Sequence, residues 1–373
     1  MKGVKVLQVC QPADGGVAYQ VSLLAQAMRD RGLPVGVACS SGALSERLQG
    51  SGIEVHELPF VRQVSPRKDL SASRALRRII RKDGYSLVHA HSAKAGVVGR
   101  VAARLAGIPS VYTPHAWSFL VAERGLERQV YVAIERLLAS FTSYIICVSS
   151  GELELGHRVV GVDDDKLRLV ANGVAVPPPS RTRGGQEELV VGSVCRLTRQ
   201  KGIIYLVRAA EAVRRERGGA VRFSVAGNGP DLEPLKAEID RLGLRDGFDL
   251  VGALEEPWEY LCSLDVFVLP SLWEGMPFAL LEAMGTGLPV VASDVGGVRD
   301  VIPRNAYGTV VPPANADALK VAILHYVDHP ELRRSVGAAA RQRILREFGR
   351  ERMVEGNLGV YAEVLKPLQY GRA

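Results

Sequence analysis

The chain has 373 residues, of which 47% are hydrophobic and 23% charged, a balance typical of a folded globular protein long enough for two domains. No apolar run reaches the ~18 residues of a membrane span. The start, MKGVKVLQVC, lacks the cleavage site of a signal peptide. The five scattered cysteines include no CxxC pair, which disfavours a zinc site or a disulfide framework. We therefore expect a cytoplasmic protein, either free or at the inner face of the cell membrane.

The net charge of +7 lies entirely in the first half. Residues 1–180 hold 22 Lys and Arg against 15 Asp and Glu, whereas the remainder holds 25 of each. This asymmetry indicates either an acidic partner for the first half or a general contribution to solubility.

Strand-like and helix-like patterns alternate through the first 170 residues. The predicted strands are Val4–Val9, Val35–Cys39, Leu87–Ala90, Ser110–Thr113, Tyr144–Val148 and Leu167–Val170. The predicted helices are Val17–Arg31, Ala43–Gly50, Leu70–Lys82, Ala95–Ala106 and Glu127–Ser140. Alternation of this kind predicts a parallel sheet with helices on both faces.

The stretch VPPPSRTRGGQ, residues 176–186, can hold neither strand nor helix and is read as a linker. The alternation then restarts, with strands at Val190–Val194, Val221–Val225, Asp249–Val251, Val266–Leu269, Pro289–Ala292 and Thr309–Val311. Helices are predicted at Leu206–Arg217, Asp231–Leu242, Ala316–His329 and Arg350–Leu368.

We therefore predict two doubly wound α/β domains facing each other across a cleft. Their bounds are 1–175 and 189–349, with a linker at 176–188 and a terminal helix, 350–373, packing back on the first domain. Because ligands bind outside the carboxyl ends of parallel strands, the cleft is the expected active site.

Two segments that follow strands carry groups suited to phosphate. In QPADGGVAYQ, Gly15 and Gly16 lead into a helix whose first N–H groups can bind an anion, although a tight turn explains them equally. The segment is not GxGxxG, which argues against a dinucleotide-binding dehydrogenase. In CRLTRQKG, Arg196 and Lys201 could grip a diphosphate, or could be two solvated cations.

The stretch SLWEGMPFALLEAMGTGLPVV places two glutamates around a helix start at Pro277. Glu274 lies before this start, and Glu282 lies on the order of 8 Å further along the helix axis. Carboxylates so placed could hold hydroxyls at two ends of an extended polyol, with helix N–H groups between them. The helix dipole explains an acid at Glu274 but not one at Glu282.

The segment EGMPFALLE resembles the E-x7-E signature of the GT4 family of retaining glycosyltransferases, which have the GT-B fold. The resemblance covers nearly the whole chain in order, through ADGGVA, TPHAW, ICVSSGE, ANGV, CRLTRQKG, AGNGPD and the long stretch that begins LPSLWEGMPF. It implies a metal-independent, retaining hexosyltransferase without a cofactor, whose donor is a nucleotide sugar linked to UDP or GDP.

The resemblance also implies roles for individual residues. Glu274 would contact the transferred sugar near its 3-hydroxyl, and Glu282 would hold the ribose. Arg196 and Lys201 would bind the diphosphate and stabilise its growing charge. The Gly16 amide would approach a phosphate.

Three further residues complete the predicted site. His115 would face the sugar or the acceptor. The backbone N–H groups of Phe278 and Ala279 would touch sugar hydroxyls or phosphate.

Two other patterns contain residue types that can bind metals, but neither is interpreted as a metal site. Asp163, Asp164 and Asp165 form a DxD pattern in a charged loop and are read as solvated. His89 and His91 are expected to project to opposite faces of their strand, which argues against a shared metal. No metal site is predicted.

The stretch from Arg62 to Lys82 carries eight cations beside an apolar stripe. It resembles an interfacial helix drawn to anionic lipid, or it is a helix facing the core with solvated arginines. We favour a lipid-linked or glycan acceptor in cell-surface polysaccharide or glycolipid synthesis.

Four alternatives stay open: transfer to a soluble small molecule such as a natural product or an inositol, a nucleotide-sugar epimerase, a hydrolase on the same fold, and a nucleic-acid binder. The last is disfavoured because few aromatic residues accompany the arginines.

Overall fold

The computed structural model describes residues 4–60, 65–122, 125–178 and 188–370, with side chains as far as residue 366. The chain divides into two compact units, residues 1–172 with 350–373 and residues 173–349. Arg62 and most of the predicted linker lie outside the described residues. Among the helices that are described, none is both long enough and apolar enough to cross a bilayer.

The first unit contains a seven-stranded parallel sheet in the order β3-β2-β1-β4-β5-β6-β7. Its strands are Val6–Cys10 (β1), Val35–Cys39 (β2), Glu54–Glu57 (β3), Leu87–His91 (β4), Ser110–Thr113 (β5), Tyr144–Cys147 (β6) and Leu167–Leu169 (β7). The central strands are buried on both faces, as helices on both sides of a parallel sheet require.

Helices of the first unit follow these strands in alternation. They are Gly15–Asp30 (α1), Ala43–Leu48 (α2), Pro66–Lys82 (α3), Ala93–Ala106 (α4), Leu126–Ala139 (α5) and Ser150–Leu155 (α6), which continues as a π-helical turn at Gly156–Val160. The last helix of the chain, Arg350–Tyr370 (α14), belongs to the same unit. There Arg31 pairs with Glu351 at 2.6 Å, and Arg168 pairs with Glu363 at 2.7 Å.

The second unit contains a six-stranded parallel sheet in the order β10-β9-β8-β11-β12-β13. Its strands are Leu189–Val194 (β8), Val221–Ala226 (β9), Phe248–Gly252 (β10), Val266–Leu269 (β11), Val290–Ser293 (β12) and Thr309–Val311 (β13). Its helices are Ile203–Arg217 (α7), Leu232–Arg241 (α8), Trp258–Cys262 (α9), Phe278–Gly285 (α10), Val298–Val301 (α11), Ala316–Asp328 (α12) and Pro330–Glu347 (α13).

The predicted fold class is confirmed in both units. Every predicted strand is present to within two residues at either end. Five of the described strands and α-helices were not predicted: the edge strand β3, the short helices α6, α9 and α11, and the helix α13. β3 has the sequence EVHE, which lacks an apolar run, and its side chains are exposed or only partly buried.

The strand orders identify one gap at the carboxyl edge of each sheet. In the first sheet the chain proceeds outward from β1 in one direction to β3 and then restarts on the other side with β4. In the second sheet the same reversal falls between β8 and β11. Loops that leave two such neighbouring strands diverge to opposite faces, and the crevice between them is where α/β proteins bind ligands.

A buried ion pair holds the helix layer of the first unit to its sheet. Arg100 on α4 is fully buried and lies 2.8 Å from the carboxylate of Glu135 on α5. The same carboxylate accepts hydrogen bonds from the Tyr112 and Ser118 hydroxyls at 3.2 and 3.1 Å. The Arg100 guanidinium also lies over the Tyr112 ring, 3.8 Å from its centroid. Breaking such a pair from one side leaves an uncompensated buried charge.

We expect Arg100→Met to lower the free energy of unfolding by about 3–5 kcal/mol, because Glu135 is left buried without its cation. The double variant Arg100→Met/Glu135→Leu should be more stable than Arg100→Met alone. Urea unfolding measures the change, and hydrogen exchange of the α4 amides assigns it to the first unit.

Arg158→Met is the matched control, since Arg158 pairs with Glu154 at 2.8 Å on the exposed surface of the same unit. An exposed pair of this kind contributes less than about 1 kcal/mol. Equal losses for Arg100→Met and Arg158→Met would contradict the assigned role of the buried pair.

Candidate active site

The loops that follow β8 and β11 in the second unit are joined directly to each other. The Leu272 N–H donates to the Gln200 carbonyl at 2.7 Å, and the Gln200 side-chain amide donates to the Trp273 carbonyl at 2.9 Å. Because β8 and β11 are neighbours in the sheet, these bonds fix the two loops at the gap in the strand order.

Two glycines allow these loops to pack backbone against backbone. Gly202 has φ +62°, and a Cβ there would lie 2.1 Å from the Pro270 carbonyl oxygen. Gly296, which follows β12, has φ +49°, and a Cβ there would lie 2.0 Å from the Glu274 carbonyl oxygen. Any other residue at either position would displace the segment that carries Glu274.

The structure brings together two of the predicted site residues, Lys201 and Glu274. The Lys201 ammonium lies 2.5 Å from the Glu274 carboxylate, and the Ser271 hydroxyl donates to the same oxygen at 2.7 Å. Glu274 is 6% exposed and Ser271 is fully buried, whereas the Lys201 side chain keeps 21% exposure. The result is a buried carboxylate whose cation partner remains accessible from solvent.

The remaining predicted residues of the second unit lie on the same two segments. Arg196 is partly exposed in the loop between β8 and α7. Phe278 and Ala279 are the first two residues of α10, so their backbone N–H groups belong to the first turn of this helix. Glu282 is partly exposed one turn further along α10. Pro277 occupies the N-cap position of α10, which begins at Phe278. The sequence analysis had placed Pro277 at the first residue of the helix.

Backbone strain in the first unit concentrates at the carboxyl ends of β4 and β5. Ser92, His115 and Ala116 have φ values of 64°, 55° and 85°, in the left-handed region that non-glycine residues avoid. The Ser92 hydroxyl donates to the Gln11 carbonyl, which bridges the loops after β4 and β1. Strain of this kind persists only where surrounding contacts hold it, and it is frequent at functional sites.

Glu152 supplies one of those contacts, and the sequence analysis gave it no role. Its carboxylate accepts the backbone N–H of Ala116 and, at 3.0 Å, that of Val148. Its own backbone carbonyl accepts the Trp117 indole N–H at 2.8 Å. Burial raises the pKa of Glu152 to about 7, although both backbone hydrogen bonds oppose that shift. The sequence feature that could have identified Glu152 is its position at the end of the motif ICVSSGE.

His89 and His91 lie on the same face of β4, so the prediction that they project to opposite faces is wrong. Side chains alternate residue by residue along a strand, and residues two apart therefore share a face. Their ring centroids are 3.9 Å apart. His91 Nδ1 lies 3.1 Å from Nε2 of His115, which the sequence analysis placed in the site.

These three histidines are neutral at physiological pH. Burial is the main cause that lowers the pKa of His89 and of His91, and neighbouring imidazoles lower both further. Burial also lowers the pKa of His115 to about 3, although that ring keeps some solvent access. They can therefore act as hydrogen-bonding groups but not as cations.

Gly16 is exposed in the first turn of α1, directly after β1, so its N–H lies at the same sheet edge as His115. The aspartates of the DxD pattern are exposed, as predicted, and Asp164 lies 3.0 Å from His157. Within the described residues, only Glu54, His56 and Asp83 cluster closely enough to hold a metal ion. The Lys5 ammonium already lies 2.7 Å from Glu54.

Two family models match the chain: a glycosyl transferase 4-like domain over residues 15–173 and glycosyl transferases group 1 over residues 181–343. The UDP-Gal:alpha-D-GlcNAc-diphosphoundecaprenol alpha-1,3-galactosyltransferase of Escherichia coli is 30% identical over 340 residues, which is 87% of either chain. An alpha-maltose-1-phosphate synthase of Mycolicibacterium smegmatis is 29% identical over 76% of this chain and 80% of its own.

Among solved structures, Anabaena Alr3699/HepE in complex with UDP and glucose is similar with a TM-score of 0.81. It is 20% identical and covers 96% of this chain and 99% of its own. At 20% identity this similarity is evidence for the fold alone, and the fold agrees with the predicted GT-B class.

We expect the stability that Glu152 contributes to fall as the pH rises from 5 to 8. Its pKa of about 7 in the folded state lies above the ordinary 4.5, so the folded protein holds this proton more tightly than the unfolded chain. The contribution is complete below pH 4.5 and declines by up to about 3 kcal/mol as the pH passes 7.

Thermal and urea unfolding of the wild type and of Glu152→Gln, which cannot ionise, isolates this contribution at each pH. The wild type should lose stability relative to Glu152→Gln over this interval. A wild-type stability that stays constant or rises relative to that of Glu152→Gln over this interval would contradict the raised pKa.

Proposed function

The chain belongs to the glycosyl transferases group 1 family, and we propose that it moves a hexose-type sugar from a nucleoside diphosphate to an acceptor hydroxyl with retention of anomeric configuration. The observation that carries this proposal is the cluster of Lys201, Glu274 and Ser271 at the gap between β8 and β11. It sets an accessible cation beside a buried carboxylate, where parallel sheets bind ligands.

Lys201 and Arg196 suit the diphosphate of the donor. An ammonium has three donors, so Lys201 can bind a phosphate oxygen without leaving Glu274. Arg196, from the same loop, can add a bidentate grip. The first-turn N–H groups of Phe278 and Ala279 offer further donors with the positive end of the α10 dipole behind them.

The two glutamates suit hydroxyl groups. Glu274 is assigned to the transferred sugar and Glu282 to the ribose, because carboxylates accept hydrogen bonds from both. In the first unit, His115 is assigned to a substrate hydroxyl and the Gly16 N–H to a phosphate oxygen.

The chemistry follows from where charge develops. As the anomeric bond breaks, negative charge grows on the departing diphosphate, and preorganised cations stabilise it most in the transition state. No side chain is assigned as a nucleophile, and the departing phosphate oxygen is proposed to take the acceptor proton on the same face. We propose that the reaction needs neither metal nor cofactor, with UDP or GDP as the carrier of the sugar.

A lipid-linked or glycan acceptor is the first choice. The name of the Escherichia coli relative specifies a diphosphoundecaprenol acceptor. Within α3, Ala72, Leu76 and Ile80 face the core, and six cations on its other faces are exposed: Arg67, Lys68, Arg74, Arg78, Arg81 and Lys82. Transfer to a soluble acceptor is the second candidate, which the name of the Mycolicibacterium smegmatis relative favours.

We expect Lys201→Ala to reduce turnover at least a hundredfold, because removing one preorganised donor to a developing charge costs ~3 kcal/mol in the transition state. Release of nucleoside diphosphate from a panel of UDP- and GDP-sugars, with lipid-linked and soluble acceptors, measures the effect. Proton NMR of the product shows whether the anomeric configuration is retained, and excess EDTA tests the need for a metal.

Lys236→Ala is the matched control, since Lys236 pairs with Glu233 at 2.8 Å on the exposed face of α8 in the same unit. It should leave turnover unchanged. Circular dichroism of both variants excludes unfolding as the cause. Folded Lys201→Ala protein with near-normal turnover would refute the role in diphosphate binding.

We expect α3 to bind membranes that contain anionic lipid. Replacing three of its exposed arginines, Arg74→Gln/Arg78→Gln/Arg81→Gln, should weaken binding to phosphatidylglycerol vesicles roughly a hundredfold, at ~1 kcal/mol for each charge. Co-sedimentation at physiological salt measures the affinity.

The matched control, Arg215→Gln/Arg217→Gln/Arg334→Gln, removes three charges from the surface of the second unit and should bind vesicles as the wild type does. Equal weakening by both triple variants would assign the binding to net charge alone.

A further inference from the structure

A chain of hydrogen bonds between buried side chains runs through the first unit from the C-terminal helix to His115. Tyr361 on α14 lies 2.6 Å from His89 Nδ1 and 3.0 Å from the Gln8 amide nitrogen. Gln8 on β1 lies 2.8 Å from His91 Nε2, and His91 Nδ1 lies 3.1 Å from His115 Nε2. Gln8, His89, His91 and Tyr361 are fully buried.

The orientation of the Gln8 amide determines how protons are arranged along this chain. Its nitrogen faces both the Tyr361 oxygen and, at 3.8 Å, the Met28 sulfur. A thioether sulfur can accept a hydrogen bond but cannot donate one. The opposite orientation would turn the amide oxygen toward that sulfur, where it finds no proton. Met28 therefore favours the amide with its nitrogen toward Tyr361 and its oxygen toward His91.

Because the imidazoles are neutral, the orientation of the Gln8 amide determines which ring nitrogen of His91, and then of His115, carries the proton. The Gln8 oxygen can only accept, so His91 must carry its proton on Nε2. Because His91 is neutral, its Nδ1 then holds a lone pair and accepts from His115. His115 must in turn carry its proton on Nε2, which leaves the lone pair on its own Nδ1.

The hydrogen bonds of Tyr361 and His89 are consistent with the same orientation of the Gln8 amide. The Tyr361 oxygen accepts from Gln8, so its proton is directed to His89 Nδ1. His89 then donates from Nε2 to the Thr113 hydroxyl at 2.8 Å. Reversing the Gln8 amide would reverse every one of these bonds, including the one to His115.

We propose that Gln8 is a positioning residue that holds His115 in the tautomer protonated on Nε2, so that His115 presents a hydrogen-bond acceptor to the substrate. A lone pair on Nδ1 can bind a sugar hydroxyl, which donates a proton, but is repelled by a phosphate oxygen, which only accepts. The inference rests on the proposed function for the identity of the ligand, whereas the tautomer itself does not depend on activity.

The test is the tautomer of His115 in the full-length protein labelled with ¹⁵N. Long-range ¹H–¹⁵N correlation spectra distinguish a protonated from an unprotonated ring nitrogen, and His115→Gln identifies which signals belong to His115. The wild type should show His115 protonated on Nε2. Gln8→Met, which removes both the acceptor and the donor, should shift His115 to a mixture of tautomers or to the Nδ1 form.

Two further variants test whether the Gln8 amide is what sets the tautomer of His115. Gln20→Met makes the same chemical change at another fully buried glutamine of the unit, whose amide has no hydrogen-bond partner within the described part of the chain. It should leave the spectrum of His115 unchanged. If Gln8→Met does not fold, Met28→Leu removes the sulfur that selects the orientation of the Gln8 amide and should give the mixture of tautomers.

The same variants have a kinetic readout. Loss of one hydrogen bond to the sugar should lower kcat/KM for the nucleotide sugar about tenfold in Gln8→Met. The Kd of the nucleoside diphosphate, which lacks the sugar, should stay unchanged.

A wild-type His115 protonated on Nδ1, or an Nε2 form that survives Gln8→Met and Met28→Leu, would overturn the role of Gln8. If the tautomers behave as expected but no nucleotide sugar is bound or turned over, the proposed function fails while the role of Gln8 in setting the tautomer stands.

Discussion

The geometry of a parallel sheet is the constraint on which both candidate sites depend. Parallel strands end at one edge, so the loops after them meet there, and a reversal of the strand order opens a gap between two of those loops. The reversals fall between β1 and β4 and between β8 and β11. An unusual feature of each unit lies at or beside its gap: in the first, the strained backbone of Ser92 after β4 and of His115 and Ala116 after the neighbouring β5; in the second, the Lys201–Glu274 pair.

The two gaps differ in their electrostatics. In the second unit a charged pair lies at the strand ends, with the cation reachable from solvent. In the first unit the three histidines near the gap are neutral, since burial depresses the pKa of each. A neutral network can offer directional hydrogen bonds without drawing in anions, whereas an ammonium that is paired on one side still has donors that can bind an anion in direct contact. The two arrangements therefore suit hydroxyl groups and phosphate groups respectively.

The sequence was sufficient to predict most of the elements and the local motifs, but not the contacts that join distant segments. Alternating apolar runs predicted both sheets, and Arg196, Lys201, Glu274 and Glu282 could be named as candidates because their motifs are contiguous. Gln8 and Tyr361 were not recognised, since 353 residues separate them and each looks like an ordinary polar residue in its own segment. Glu152 was overlooked for a similar reason: its role depends on the strained Ala116 backbone 36 residues earlier in the chain.

The ion pair of Lys201 and Glu274 also constrains how an anion could bind beside it. The pair carries no net charge, so by itself it creates little potential at a distance. A ligand with two or more negative charges must therefore draw its attraction from Arg196 and from the first-turn N–H groups of α10. Glu274 then prevents Lys201 from swinging into solvent, and the Ser271 hydroxyl holds Glu274 in turn. A cation held in this way needs little reorganisation when charge develops on the ligand, and this preorganisation is what lets an electrostatic contact accelerate a reaction.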